Sequence, residues 1–477
     1  MAWADMWIGF ILLVAAAGLL AAAQFSVRPA RRYRTWWVAL FATELGHVWA
    51  VFATAVAWAG AATAWWAESG AVAGVAGVAF GLALLATGLF ARPAWCAARL
   101  APALSRELSA VFGLCNQIGY TTETSTRDIG VHRVWSWRRL WRWPLAVKRG
   151  PVESLFIGNL AADFYAAHGS ENRNQFGYAM PEAGGTGGLS KVKVKVKEGE
   201  AAERGQASRG DGWARETMGA REALGVHEAM GVREAMEAGE VRAALGKGRG
   251  VPCVVLVHGG GWDGGDRAEL AAFNHWLAAR GVAVIAFDYR LAPAFPWPAQ
   301  REDVRAVVEW VQINAVRLGV DPDRITLAGR SAGAQIATAT AYGEKLPGVR
   351  AVVALYGVHN LEFVWSIRSP TDSLNSDKLM KQYLGGSPDG ERAQAYFTGS
   401  AELNAHANVP PTLILHGALD ELVWCRHSEK LAAALARVGA PHVFARLPWA
   451  THAGEANLHG PSGQLITEAV WRVATGL

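Results

Sequence analysis

A serine at position 331 stands in a pattern suited to nucleophilic catalysis. Ser331 lies between Gly329 and Gly333 in GRSAG, directly after the apolar run RITLA. A serine hydroxyl is a weak nucleophile unless a neighbouring base takes its proton. A sharp strand-to-helix turn with small flanking residues presents the hydroxyl without crowding. GxSxG alone is a common pattern, but here it separates a strand pattern from an alanine-rich helix pattern, which is the context that this chemistry requires.

A glycine-rich loop follows an earlier apolar run, CVVLV. Its five residues are His258, Gly259, Gly260, Gly261 and Trp262. Glycines let two backbone N–H groups approach one oxygen atom, which stabilises the charge of a tetrahedral intermediate. We expect the amides of Gly260 and Gly261 to be donors, with that of Ala332 at the helix start as a third. An ordinary glycine turn after a strand is the alternative.

A base and an orienting acid are expected after the serine. Asp420 lies in HGALDELV, beyond the strand pattern TLILH, and His452 lies in PWATHAGE, beyond HVFARLP. Ser331 would attack, His452 would carry the proton, and Asp420 would hold and stabilise the imidazole. Asp288 and Asp303 precede the serine and are expected in salt bridges or turns. Four other histidines are alternatives for the base, His459 the nearest of them: His416, His427, His442 and His459.

Alternating strand and helix patterns position these residues. Strands are predicted at residues 253–258, 282–288, 325–328, 349–355, 412–415 and 442–447, and helices at 304–318, 332–342 and 429–438. Such alternation indicates an α/β fold with a mainly parallel sheet covered on both faces. The serine, the acid and the base all follow strands, so they would meet at one edge of the sheet.

The motifs together resemble those of a known family. HGGGW at 258–262, DYRLAP at 288–293, FPWPAQREDV at 295–304 and GRSAG at 329–333 are similar to those of α/β-hydrolases, specifically hormone-sensitive-lipase-like carboxylesterases. The resemblance covers residues 250–477. It implies a mostly parallel eight-stranded sheet with helices on both faces and a cap around 358–407. It also implies the triad Ser331, Asp420 and His452, the same three oxyanion amides, and no metal or organic cofactor.

Two positions depart from the family pattern. Arg330 stands where relatives usually carry an acidic residue, and Ala294-Phe295 replaces the usual Glu-His. Prenylcysteine methylesterases and arylformamidases resemble the chain as well. Aromatic residues in the predicted cap would line an acyl pocket or pack its core: Phe363, Trp365, Tyr383, Tyr396 and Phe397.

Composition points to a membrane anchor before the hydrolase region. Only 18% of the 477 residues are charged and 51% are hydrophobic. About 20 apolar residues cross a bilayer, so we predict three spans at 6–25, 36–66 and 71–91. A cleaved signal peptide is an alternative for the first run, but no basic residue precedes it. A hydrophobic soluble bundle is the other alternative.

Arginines predict the orientation of these spans. The first loop and the segment after the third span are basic, whereas the amino end and the second loop are not. The positive-inside rule then places the amino end outside and the catalytic domain in the cytoplasm. The arginines concerned are Arg28, Arg31, Arg32 and Arg34 in the loop, and Arg92, Arg99 and Arg106 after the third span.

Polar and aromatic residues near the spans allow two interpretations each. Glu44 and His47 share a helical face, which suggests proton or ligand handling, although Glu44 near the span start would reach the interface. Residues 132–149 interleave arginine with tryptophan, which is typical of a segment on an anionic membrane surface or of a packed aromatic cluster. Tryptophans also mark the proposed span ends: Trp3, Trp7, Trp36, Trp37, Trp65 and Trp66.

The sequence therefore predicts four regions. These are an anchor at 1–100, a juxtamembrane basic and aromatic segment at 101–183 that includes the start of the hydrolase region, a low-complexity and disordered insert at 184–250, and the catalytic domain at 251–477. The insert contains KVKVKVK and a six-residue charge repeat, which fits neither a coiled coil nor a catalytic motif.

The expected activity is hydrolysis of a carboxylic ester, with a small-molecule or membrane-lipid substrate. Prenylcysteine methylesterase-like and arylformamidase-like hydrolases are alternatives within the class. An inactive membrane-bound binding protein and a receptor or transporter with a regulatory domain are remoter ones. Four widely spaced cysteines give no disulfide framework or zinc site, and no basic motif indicates a nucleic-acid partner. The sequence leaves the oligomeric state open.

Overall fold

The chain begins with four helices. A computed structural model describes residues 2–30, 33–113, 135–141, 152–167 and 250–476, and the predicted insert lies outside these residues except for Gly250. The helices are α1 (Ala2–Ala23), α2 (Tyr33–Glu44), α3 (Gly46–Trp66) and α4 (Gly70–Phe112). Three segments are long and apolar enough to span a membrane: Met6–Ser26, Gly46–Trp66 and Gly70–Phe112.

The second predicted span differs from the structure. Residues 36–66 fall into two helices, because the chain leaves helical geometry at Leu45 (φ −113°, ψ 14°). Helix α2 buries Trp36, Ala39 and Leu40 in the main protein core and is not a candidate span. The third predicted span is also longer than expected, since α4 runs for 43 residues.

Eight strands form one sheet. They are β1 (Val152–Ile157), β2 (Leu160–Tyr165), β3 (Val251–Val257), β4 (Ala283–Phe287), β5 (Val320–Arg330), β6 (Val349–Leu355), β7 (Thr412–Gly417) and β8 (His442–Leu447), in the order β1-β2-β4-β3-β5-β6-β7-β8. The β1–β2 and β2–β4 pairs are antiparallel, and the five other pairs are parallel. The mostly parallel eight-stranded sheet is thus confirmed, and its first two strands precede the insert.

The described residues include ten further α-helices. They are α5 (Trp137–Leu140), α6 (Ala271–Ala278), α7 (Ala299–Ile313), α8 (Ala315–Leu318), α9 (Ala332–Gly343), α10 (Leu361–Ile367), α11 (Ser376–Leu384), α12 (Ala393–Thr398), α13 (Arg426–Arg437) and α14 (Pro461–Gly476). The predicted helix 304–318 is broken at Asn314. Helices α10, α11 and α12 occupy the predicted cap. All residues of β3 and β4 are buried, as expected for strands covered on both faces.

The amino-terminal helices and the sheet share one hydrophobic core. Leu104 and Leu108 of α4 belong to the same buried cluster as Val443 of β8 and Leu465 of α14. The side chain of Arg472 on α14 also donates to Ser105 of α4 at 2.7 Å. The carboxyl-terminal half of α4 is therefore part of the globular fold, beyond the predicted limit of the anchor at residue 100.

Candidate active site

Ser331 lies in a strained turn between β5 and α9. Its backbone has φ 51° and ψ −120°, a conformation that L-residues rarely adopt. A Cβ atom on Gly329 would lie 2.1 Å from the carbonyl oxygen of Gly333, and one on Gly333 would lie 2.2 Å from that of His258. Glycine is therefore required on both sides of the serine, which gives a physical reason for the GxSxG pattern.

The glycine loop predicted to bind the oxyanion lies beside the serine. A Cβ atom on Gly259 would be 3.5 Å from Cβ of Ser331. The next three residues all have positive φ: 109° at Gly260, 62° at Gly261 and 69° at Trp262. At Gly260 and Gly261 such a backbone suits glycine and lets the loop turn sharply.

Aromatic side chains fix this loop from both ends. The His258 ring stacks on Tyr289, with 4.1 Å between ring centroids, and Tyr289 donates to the carbonyl oxygen of Gly259 at 3.2 Å. Burial lowers the pKa of His258, so its ring is neutral at pH 7. At the other end, Trp262 Nε1 donates to Oε1 of Gln335 at 2.8 Å.

Asp420 and His452 form a buried pair. Nδ1 of His452 is 2.6 Å from Oδ2 of Asp420, whose side chain is fully buried. The other carboxylate oxygen accepts the amides of Leu422 and Val423 at 2.9 and 3.0 Å. Burial alone would raise the pKa of Asp420, but the charge and hydrogen bonds of His452 and His416 outweigh it and hold the pKa well below its usual range. Asp420 is therefore ionised and can orient the imidazole.

Tyr356 connects the histidine to the serine turn. The ring centroid of Tyr356 is 4.4 Å from that of His452. The preceding residue, Leu355, accepts the backbone N–H of Ser331 at 2.9 Å. The three predicted triad residues all follow the carboxyl ends of parallel strands β5, β7 and β8, the edge where ligands bind in such sheets.

The alternative histidines have other partners or surroundings. His416 Nε2 lies 3.3 Å from Asp420, but its ring also contacts Ser428 at 2.7 Å and the Val423 carbonyl at 2.9 Å. Burial lowers the pKa of His427 to about 3. His442 bonds the carbonyl of Ala440, and His459 is buried in the loop after His452.

The two earlier acids pair with arginines, as expected. Asp288 contacts Arg267, and Asp303 lies 2.7 Å from Arg290. Within the described ranges, no cluster of three or more His, Cys, Asp or Glu side chains is suited to hold a metal ion.

Arg330 belongs to a network that sequence reasoning did not identify. Its Nη1 lies 2.8 Å from Oε2 of Glu269, and its Nε lies 3.1 Å from Oε1 of Glu455 and 2.9 Å from the hydroxyl of Tyr356. The Tyr356 hydroxyl also donates to Glu455. The basic residue in the serine motif is thus balanced by two carboxylates. In the sequence, the only feature that could have indicated this network is an acidic residue, Glu455, three residues after His452.

Two of the predicted cap residues pack in the protein interior, one against residues outside the cap and one within it. Tyr383 is fully buried, stacks on Trp262 with 4.5 Å between centroids, and donates to Gln335 at 2.9 Å. Tyr396 is also fully buried, and the Trp365 ring lies against it. For Tyr383 and Tyr396, packing in the protein interior is therefore the better of the two interpretations, although Tyr383 packs against the glycine loop and α9 and only Tyr396 packs within the cap.

Similarity to known proteins is concentrated in the catalytic region. Residues 243–435 match the family described as BD-FAE. Esterase LipQ of Mycobacterium tuberculosis is 30% identical over 229 residues, covering 44% of this chain and 52% of LipQ. Isoprenylcysteine alpha-carbonyl methylesterase ICME of Arabidopsis thaliana is 29% identical over 207 residues, covering 40% of this chain and 47% of ICME. This chain spans about half the length of the curated relatives it matches.

Among solved structures, a bacterial heroin esterase is 25% identical, with a TM-score of 0.43, over 48% of this chain and 76% of that one. The sheet order and the strand–serine–helix turn of this chain define its catalytic region as an α/β-hydrolase. Within that class the region is similar to carboxylic ester hydrolases, so the resemblance predicted from the motifs is confirmed.

Proposed function

We propose that the protein is a membrane-anchored serine hydrolase that cleaves carboxylic esters through an acyl-enzyme. The observation that carries this proposal is the buried pair of His452 and Asp420, with 2.6 Å between Nδ1 and Oδ2. The pair follows the carboxyl ends of two parallel strands, as does Ser331 with its strained backbone. A carboxylate on Nδ1 directs the Nε2 lone pair outward, which is the orientation that a general base needs.

The catalytic steps follow from this arrangement. Nε2 of His452 takes the proton of the Ser331 hydroxyl while the oxygen attacks the ester carbonyl. The amides of Gly260, Gly261 and Ala332 are proposed to stabilise the resulting oxyanion. His452 then protonates the leaving alkoxide, the alcohol departs, and the acyl group remains on Ser331. A water molecule activated by His452 hydrolyses that acyl-enzyme and restores the serine.

The membrane part of the proposal rests on the exposed apolar surface of the anchor helices. On α3, Trp58 is 73% exposed, Trp65 is 83% exposed and Trp66 is 81% exposed. So large an apolar surface is unfavourable in water and favourable in lipid. We propose three spans with the amino end outside and the catalytic domain in the cytoplasm, which would let a hydrophobic ester reach the site from the bilayer.

The similarity to ICME favours a second candidate within the same chemistry. That relative is named a methylesterase of isoprenylcysteine, and 40% of this chain matches it. An ester of this kind joins a small alcohol to an acid that carries a lipid chain, so it suits an enzyme held at a membrane. The same triad would perform the reaction.

Hydrolysis of p-nitrophenyl acyl esters from acetate to palmitate tests the proposal. The full chain in detergent micelles should hydrolyse members of this series, and Ser331→Ala should reduce kcat to the buffer rate. A prenylcysteine methyl ester, assayed in parallel, distinguishes the second candidate. If the folded wild-type protein hydrolysed none of these esters, the proposal would be wrong.

A further inference from the structure

Glu44, at the end of α2, is buried against the segment that follows the proposed catalytic histidine. Its side chain is buried, with 2% exposed, although the candidate membrane span Gly46–Trp66 begins two residues later. Its Oε2 accepts the backbone N–H of Ser462 at 3.0 Å, and its Oε1 lies 2.5 Å from the Ser462 hydroxyl. The expectation that Glu44 reaches the membrane interface is therefore not met, because protein groups surround its carboxyl.

The surrounding segment, residues 453–462, is shaped to receive this side chain. A Cβ atom on Gly460 would lie 2.4 Å from Oε2 of Glu44, and one on Gly454 would lie 3.3 Å from Oε1. Nδ2 of Asn457 donates to the backbone carbonyl of Glu44 at 3.0 Å. Four residues of one short segment thus contact a single residue from the anchor region. We call residues 453–462 the docking segment.

The docking segment is joined directly to the active site. His452 immediately precedes it, and Glu455 within it accepts the hydroxyl of Tyr356, whose ring lies against His452. Glu44 and Tyr356 therefore hold the same segment, and a shift of this segment would move the imidazole relative to Ser331.

Glu44 is also joined to the candidate membrane spans. Helix α3 begins at Gly46, two residues later, and a Cβ atom on Gly46 would lie 2.3 Å from the carbonyl oxygen of Phe90 on α4. Such close packing fixes the start of α3 on α4. The position of Glu44 is thus determined by the helices that would lie in the membrane.

The chemistry of the contact suits a neutral carboxylic acid. Burial raises the pKa of Glu44 to about 8; the hydrogen bonds from Ser462 and from the backbone of Gly463 oppose this rise, and the charge of Glu455 adds to it. Both carboxyl oxygens accept from Ser462, Oε2 from its N–H and Oε1 from its hydroxyl. In the neutral acid, which burial favours, the Ser462 hydroxyl can instead accept the carboxyl proton, because a serine hydroxyl both donates and accepts. Glutamine has nearly the same shape, keeps one acceptor oxygen for the Ser462 N–H, and can donate from Nε2 to the Ser462 hydroxyl oxygen.

We propose that Glu44 is a positioning residue: from the end of α2 it holds the docking segment in place, and with it His452. This inference rests on the proposed function. It makes the anchor part of the catalytic scaffold, in addition to any role in attaching the enzyme to a membrane.

The variants Glu44→Ala and Glu44→Gln test this role, with Glu68→Ala, an exposed carboxylate between α3 and α4, as the matched control. With p-nitrophenyl butyrate in detergent micelles, Glu44→Ala should lower kcat about 10- to 100-fold and leave KM nearly unchanged, since small displacements of a catalytic group have effects of this size. Glu44→Gln and Glu68→Ala should stay close to wild type. If Glu44→Ala does not fold, Glu44→Asp replaces it, because the shorter side chain cannot reach both groups of Ser462.

Hydrogen exchange of the docking segment provides a readout that does not depend on turnover. We expect faster amide exchange at residues 453–460 in Glu44→Ala than in wild type or Glu44→Gln. If wild type hydrolysed no ester while this difference was present, the proposed function would fail and the docking role of Glu44 would stand. A wild-type kcat in folded Glu44→Ala, a loss confined to KM, an equal loss in Glu44→Gln, or unchanged exchange would each overturn the inference.

Discussion

Replacing Arg330 with methionine should destabilise the protein strongly. The guanidinium is 14% exposed and lies 3.1 Å from Glu455, whose side chain is fully buried. Removing one partner of a buried ion pair costs about 3–5 kcal/mol, because the remaining charge keeps its burial penalty. The Tyr356 hydroxyl still donates to Glu455 in the variant, so we expect a loss of about 3 kcal/mol, at the lower end of that range.

A second substitution separates this electrostatic effect from lost packing. Glu455→Gln removes the buried charge, so the double variant Arg330→Met/Glu455→Gln should be less destabilised than the sum of the two single variants. Coupling of about 1–3 kcal/mol is typical of directly contacting residues. Glu269 contributes less, since its side chain is 30% exposed.

The assay is chemical unfolding of the four proteins in one detergent, followed by far-UV circular dichroism. Additive losses, with a coupling free energy below about 0.5 kcal/mol, would refute the reasoning. The network would then be a set of neighbouring polar groups without a shared electrostatic role.

Four further outcomes are expected. Asp420→Asn should lower kcat about 10³- to 10⁴-fold, because the imidazole loses its orienting carboxylate. Since the pKa of Asp420 is depressed on folding, its contribution to stability is present above the pKa of an unfolded aspartate and is lost as the pH falls through the folded value. Thermal unfolding of Asp420→Asn should therefore depend less on acidic pH than that of wild type. Gly260→Ala should abolish ester hydrolysis in a folded protein, as a Cβ atom there would lie 2.1 Å from the carbonyl oxygen of Gly264, whereas Gly343→Ala, with its nearest contact at 3.5 Å, should retain kcat. The full chain should sediment with membranes after an alkaline carbonate wash, and its release into the supernatant would contradict the anchor.

The local parts of the catalytic region could be predicted from the sequence. The bounds of β6 and β8 agree with the predicted strands at 349–355 and 442–447. The serine turn and the glycine loop are also local features, since the strained φ angles at Gly260 and Ser331 depend on adjacent residues. The pairing of Asp420 with His452 was expected from their order after the serine, their places after strand patterns and the family resemblance, and the structure adds that β7 and β8 are neighbours.

The long-range features could not be predicted in this way. Glu44 and Ser462 are 418 positions apart, and an apolar run with one carboxylate has the same pattern whether lipid or protein surrounds it. Gly46 follows the helix break at Leu45, but glycine is common within membrane helices, so it did not mark the break. Similarly, the acidic partners of Arg330 come from a loop after β3 and a turn after β8, so no local periodicity connects them.

The structure changes the expected relation between the amino-terminal helices and the region that carries the sheet. Trp36 of α2 and Leu104 in the carboxyl-terminal half of α4 belong to the same hydrophobic core as residues of the sheet. Hydrophobic burial of this kind stabilises the fold in proportion to the apolar area removed from water. The amino-terminal helices and the sheet region thus belong to one compact unit.

Covalent labelling of the serine tests the central claim most directly. A fluorophosphonate probe reacts with a serine hydroxyl that a neighbouring base has activated, so labelling followed by peptide mass mapping identifies the nucleophile. We predict a single adduct on Ser331 in the full chain, absent from Ser331→Ala and much slower in His452→Ala. An adduct on a different serine, or no adduct on the folded protein, would contradict the account.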